Sequence, residues 1–178
     1  MKILTSISVS LLIYSASFAQ VDTVKLRDIE KNTRSIVTDR PPQAVYFQLG
    51  GSGPILSVNY DRRFSNKVNG LGFTAGLGFY SIFGVSIFSV PLSVNYLIGK
   101  SNSFLELAAG GTYASAQGGI ADFSNSNNNN TSVFFFHGNV GYRYQPTKGG
   151  FFFRGGVSPL FAQGESVTWY YVGFGHNF

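Results

Sequence analysis

The chain has 178 residues, with 22 glycines, 18 phenylalanines, 10 tyrosines, one tryptophan and no cysteine; 13 lysines plus arginines against 8 aspartates plus glutamates leave a net charge of +5. Charged residues make up 12% of the chain, about half the share of an ordinary soluble domain, and mean hydropathy is +0.09. A disordered chain is excluded, being rich in charge and poor in aromatics; so are a disulfide scaffold and a thiolate metal site, and a helical membrane bundle would need apolar runs of about 20 residues that the sequence does not offer.

Met1-Lys2 opens the chain, a mostly apolar stretch follows from Ile3 to Ile13, and Ser17-Phe18-Ala19 places small residues where a signal peptidase reads. This predicts a secretory leader over 1–19, with Gln20 as the first mature residue. Residues 20–42 change character: Asp22, Lys25, Arg27, Asp28, Glu30, Lys31, Arg34, Asp39 and Arg40 interleave both signs until Pro41-Pro42. They read as a soluble N-terminal extension, either a helical turn or two or a disordered lead-in.

From Gln43 to Phe178 only 11 of 136 residues are charged, too few to cover a surface facing water. Bulky apolar residues recur there at every second position, the signature of strands. Leu71, Phe73, Ala75, Leu77 and Phe79 alternate with Gly72, Thr74, Gly76 and Gly78; Phe88, Val90, Leu92, Val94 and Tyr96 alternate with Ser89, Pro91, Ser93 and Asn95. Eight such segments are expected, at about 43–50, 54–65, 70–80, 86–98, 103–116, 132–145, 150–161 and 168–178, each near the length of a tilted strand that crosses a bilayer. Compact polar turns at 65–69, 99–102 and 146–149 alternate with more varied connections, of which 117–131 is the longest. The reading is an all-β, eight-stranded, antiparallel up-and-down transmembrane β-barrel behind a short N-terminal extension, with short turns at one end and longer loops at the other. Tyr60, Tyr96, Tyr142, Tyr144 and Trp169 fall near segment ends, as interfacial aromatic girdles require.

Alternation also assigns the interior. Asp61, Arg63, Glu106, Arg143 and Arg154 face inward, all near the compact-turn end, and are expected to form an ion-pair network that fills the lumen. Asn59, Asn95, His137 and Asn139 face inward as polar lining, among Gly, Ser and Thr, while His176 faces outward. An interior of this size is just wide enough for side chains.

The last strand, Trp169-Tyr-Tyr-Val-Gly-Phe-Gly-His-Asn-Phe178, resembles the C-terminal strand of bacterial outer-membrane proteins. That resemblance implies that Tyr170, Val172, Phe174 and Phe178 form the signal read by the barrel assembly machinery. The body is similar to the small eight-stranded OmpA/OmpX-like barrels. The runs Val94-Asn-Tyr-Leu-Ile-Gly-Lys100, Gly141-Tyr-Arg-Tyr-Gln-Pro146 and Gly150-Phe-Phe-Phe-Arg154 look like the outer-membrane β-barrel domains common in Bacteroidota. The resemblance implies a Gram-negative outer membrane, with long loops outside and both termini in the periplasm. It implies contact with outer-membrane lipids and lipopolysaccharide, and it leaves activity open.

The leading functional reading is a non-enzymatic envelope or surface-interaction barrel with a plugged or very narrow lumen and no cofactor. A lipid A-modifying enzyme on the same barrel would need a Ser–His pair, and the run around His137 lacks the His-x-Ser arrangement of such deacylases; Ser132 or Ser158 could approach His137 only by accident of fold. A small-solute pore is a further alternative. A soluble ligand carrier would invert the two faces. The asparagine-rich run 124–131 reads as a surface loop, a place for an unidentified surface ligand. The positive charge has no basic-aromatic platform, so nucleic acid is not an expected partner.

Overall fold

A computed structural model describes residues 37–82, 85–117, 131–162 and 164–178 of the chain. The expected leader, most of the N-terminal extension and most of the asparagine-rich run lie outside the described residues. Eight strands follow in order: β1 (Gln43–Gly50), β2 (Leu56–Arg63), β3 (Gly70–Ile82), β4 (Val85–Lys100), β5 (Ser103–Gln117), β6 (Thr131–Tyr144), β7 (Gly150–Ala162) and β8 (Glu165–Asn177). Each pairs antiparallel with the next, and β1 pairs with β8, so the sheet closes into an up-and-down barrel. Closure leaves no unpaired edge along the sheet. No helix occurs among the described residues.

Three strands run further than the alternation of apolar residues predicts. β3 continues to Ile82, β4 begins at Val85, and β8 begins at Glu165 rather than near Thr168. Beyond the regular apolar alternation the ladder continues: Ser81 stands opposite Ser86 with their hydroxyls 2.9 Å apart, Ile82 opposite Val85, and Ala162 opposite Glu165. Backbone pairing persists where the alternation has ended, which hydrophobic periodicity cannot register. In consequence the expected contrast between short turns and long loops is corrected. On the presumed loop side only two residues separate β3 from β4, and two separate β7 from β8; the one long connection is 118–130.

Two prolines interrupt the ladder where their missing N–H would have donated. The β3–β4 register runs from Ala75↔Leu92 to Gly78↔Ser89 without the pairs between, at Pro91, and β6–β7 runs from His137↔Leu160 to Val140↔Val157 without them, at Pro159. Each proline ring lies near a glycine of the neighbouring strand, Gly76 or Gly138. At the second site Ser158 Oγ donates to the Gly138 carbonyl at 2.9 Å, replacing the lost donor.

The two faces of the wall differ sharply. Outside, Phe47, Leu77, Phe79, Leu92, Val94, Phe136 and Tyr170 are all more than half exposed or nearly so, with Tyr170 at 79%. Inside, the fully buried side chains include Arg63, Arg143, Arg154, Gln48, Glu106 and Asn95. This is the reverse of a water-soluble fold, where large apolar side chains fill the core and charges stay at the surface.

Candidate functional site in the barrel lumen

The interior is layered from the compact-turn end upward. At that end the β2–β3 connection turns Val68 inward, where it packs with Leu97 of β4 and Phe104 of β5. Ala44, Tyr46 and Phe152 form a second buried apolar group, with the Tyr46 and Phe152 rings stacked at 4.8 Å.

Against these apolar groups packs a charged cluster. Asp61 sits directly across from Thr74, which donates to Asp61 Oδ2 at 2.8 Å; Asn95 Nδ2 donates to the same oxygen at 2.6 Å. Arg63 Nη2 reaches Asp61 Oδ1 at 2.8 Å and also donates to Asn95 Oδ1. Arg143 spans the barrel between the two carboxylates. Its Nη1 and Nη2 each lie 3.0 Å from an Asp61 oxygen, while Nε and Nη2 reach Glu106 at 3.0 and 2.8 Å. Arg154 closes the chain of charges, with Nη2 3.2 Å from Glu106 Oε1 and Nη1 donating to Tyr46 Oη at 2.5 Å. Its guanidinium lies between the rings of Tyr46 and Tyr171, at 5.2 and 4.7 Å, and that of Arg143 lies over Phe152 at 5.1 Å.

This arrangement follows from register. Arg143 and Arg154 are directly opposed across β6 and β7, a like-charge pair that is unfavourable by itself. Glu106 on β5 holds both, and Asp61 holds the other side of Arg143. Three guanidinium groups and two carboxylates thus occupy one dry layer, where pairing offsets the desolvation of each. Glycines opposite the long side chains supply the room. A Cβ at Gly72 would run into the Arg63 guanidinium and come within 2.6 Å of the Arg62 carbonyl. Gly72→Val is therefore expected to destabilise the barrel by about 1–3 kcal/mol in urea unfolding, whereas Ala109→Val on the outward face should change it by no more than about 0.5 kcal/mol.

Further up, Asn59 donates to Ser57 Oγ at 2.9 Å, and Asn139 is buried on the same face, its Oδ1 without a hydrogen-bond partner among the described residues. His137 Nδ1 is 3.2 Å from Thr112 Oγ1, and Thr112 Oγ1 donates at 2.8 Å to the carbonyl of Ser52. With that proton committed, Nδ1 is the donor to Thr112, and Nε2 is left as an acceptor without a partner. Ser52 belongs to the β1–β2 connection, whose residues Gly51, Ser52 and Gly53 are buried inside the mouth of the barrel. Gly50 and Gly51, at φ +73° and +71°, adopt the left-handed conformation that turns the chain inward, and Gln48 Nε2 holds the loop through Gly50 O and Ser52 Oγ at 3.0 and 3.3 Å.

The structure thus brings Asp61, Arg63, Asn95, Glu106, Arg143 and Arg154 into one network, and places Asn59, His137 and Asn139 above it. Neither serine considered beside His137 bonds to it. Ser158 serves Gly138, and Ser132, exposed on the outer wall, accepts from Tyr113 Oη at 2.9 Å. Tyr170, Val172, Phe174 and Phe178 stand exposed on the outer wall. Alternation placed Tyr171 inward, where it is buried, but treated the lumen as Gly, Ser, Thr and Asn and so missed Tyr46, Val68, Leu97, Phe104 and Phe152. The strand residues among these were within reach. Leu97, Phe104 and Phe152 each lie two positions from an inward polar residue. Val68 sits in a turn and carries no such mark.

No family model matches the chain, and no curated protein matches it in sequence. Solved structures do match in fold. The N-terminal β-barrel domain of Pseudomonas aeruginosa OprF aligns with a TM-score of 0.57 at 11% identity, covering 79% of this chain and 98% of that one. Ail, the attachment invasion locus protein of Yersinia pestis, in complex with the heparin analogue sucrose octasulfate, aligns with a TM-score of 0.49 at 13% identity, over 78% of this chain and 97% of that one. The fold is that of the small eight-stranded outer-membrane barrels.

Proposed function

We propose that the protein is an integral outer-membrane β-barrel without enzymatic activity, serving envelope structure or surface interaction, with a lumen closed to solutes. The observation that carries this reading is the inversion of the wall: apolar and aromatic side chains exposed outside, a paired ionic layer buried inside. Lipid surrounds such an exterior, and closure satisfies its backbone there. The leader directs export, the compact-turn end and both termini face the periplasm, and the outward Tyr170, Val172, Phe174 and Phe178 engage the barrel assembly machinery. The acyl chains of outer-membrane lipids and lipopolysaccharide pack against the belt.

The apolar group at Val68, Leu97 and Phe104, the ionic network beside it and the inturned β1–β2 connection support a closed axis. Purified protein in planar bilayers should therefore show small or no conductance. Large, stable steps would establish a pore and overturn the plug. A lipid-phase photoprobe should label Phe73, Val94 and Val172 in membranes, and the protein should require detergent for extraction. Release into the periplasmic fraction would favour a soluble carrier. The acyl pattern of lipid A should be the same in cells with and without the gene.

A further inference from the structure

The charges outside the lumen are distributed to one end. Arg40 in the segment leading into β1, Arg62 on β2, Lys67 between β2 and β3, Lys100 at the end of β4 and Lys148 between β6 and β7 are all exposed, and all lie at the compact-turn end. Each connection at that end carries a cation or directly follows one. Asp39 is the sole exposed anion there among the described residues. The connections and adjoining strand halves at the opposite end contain no lysine or arginine in sequence, and among the described residues the charge there is Glu165.

The aromatic residues fix the level of these cations. Tyr60 Oη donates to Gln43 Oε1 at 2.7 Å, and Tyr142 Oη lies 2.9 Å from Ser103 Oγ. Gln43 and Ser103 begin their strands, so both phenols point to the compact-turn rim, the position of an interfacial tyrosine with its ring in hydrocarbon and its hydroxyl among headgroups. The cations lie at or just beyond that level. Arg62 decides what they face. It stands on the outer wall, opposite Phe73 in the register and between outward Tyr60 and Phe64, with the Phe64 and Phe73 rings stacked at 5.8 Å. A guanidinium placed sideways among aromatic rings extends its charge to the layer alongside the barrel, not to the space beneath it.

We propose that this cation collar binds the phosphate of anionic phospholipids in the leaflet at the compact-turn end. The cation-free opposite end forms no direct ion pairs with lipid phosphate. The proposal rests on the membrane reading above and assigns a lipid class to one leaflet of it.

The test uses the full-length protein folded into phosphatidylcholine bilayers containing a trace of spin-labelled phosphatidylglycerol or spin-labelled phosphatidylcholine. The motionally restricted fraction of each probe reports contact with the wall. Phosphatidylglycerol should be favoured by about threefold at low salt, and the preference should vanish at about 1 M salt, where the Debye length is about 3 Å. It should also vanish in the variant Arg40→Gln, Arg62→Gln, Lys67→Gln, Lys100→Gln, Lys148→Gln, whose substitutions are all at exposed positions; gel mobility before and after heating verifies that it is folded. Equal restriction of both probes by wild type, or a preference that survives in the variant, overturns the collar while leaving the barrel in the membrane. Absence of any restricted component would instead remove the membrane reading itself.

Discussion

Glu106→Gln is expected to destabilise the barrel by about 3–5 kcal/mol, the cost of removing one partner from a buried ion pair. Glu106 accepts from Arg143 at 2.8 and 3.0 Å and lies 3.2 Å from Arg154, and it is fully buried. Arg143 retains Asp61, but Arg154 has no other carboxylate among the described residues; there its support is Tyr46 Oη and two aromatic faces. The amide also turns an N–H toward a guanidinium, and the opposed Arg143–Arg154 pair loses the charge that separates it. The prediction has an internal control. Glu106→Gln combined with Arg154→Gln removes one of the two opposed cations and should recover part of the loss, although it changes more atoms. Reversible urea unfolding in micelles, followed by gel mobility, measures all three proteins. A single variant within about 1 kcal/mol of wild type, or a double variant less stable than the single, would show that the layer is not held by these pairs.

Val94→Arg is the second large effect, and it depends on the solvent around the barrel rather than on its interior. Val94 is 52% exposed and lies six residues along β4 from Lys100. At about 3.3 Å per residue and a tilt of about 40°, that is about 15 Å along the membrane normal, the middle of a hydrocarbon layer about 30 Å thick. An arginine there should cost about 2–4 kcal/mol in a bilayer, while Ile98→Arg, nearer the rim on the same face, should cost no more than about 1 kcal/mol. In a water-soluble barrel both are ordinary surface substitutions within about 0.5 kcal/mol. A steep difference between the two positions, measured by folding equilibrium in vesicles, identifies lipid as the solvent of this face. Similar small effects at both would place water there and remove the basis of the function proposed.

Alternation carried much of this reading because a closed barrel converts a period of two into inside and outside. Asp61 and Arg63, two apart on β2, had to share a face, as did Arg143 with His137 and Asn139 on β6; no tertiary knowledge was required. Strand ends were less legible. Ser81↔Ser86 and Ala162↔Glu165 pair through backbone beyond the regular apolar alternation, where side-chain hydropathy no longer records the ladder. The inward aromatics were hidden for a different reason. Tyr46 and Phe152 look like further members of an apolar wall, and only the register shows them stacked within it beneath the guanidinium groups.

By itself the sequence determined the strand number, the closed antiparallel order, the greasy exterior and the charged and amide members of the inward set, because pleating sends neighbouring side chains to opposite sides. Only the tertiary structure decided that Arg143 bridges Asp61 and Glu106, that Val68 closes one end, and that Ser52 enters the other. Those contacts join residues up to 82 positions apart across the barrel axis. They are set by shear, by side-chain length and by the space that glycines leave, none of which a pattern along the chain contains.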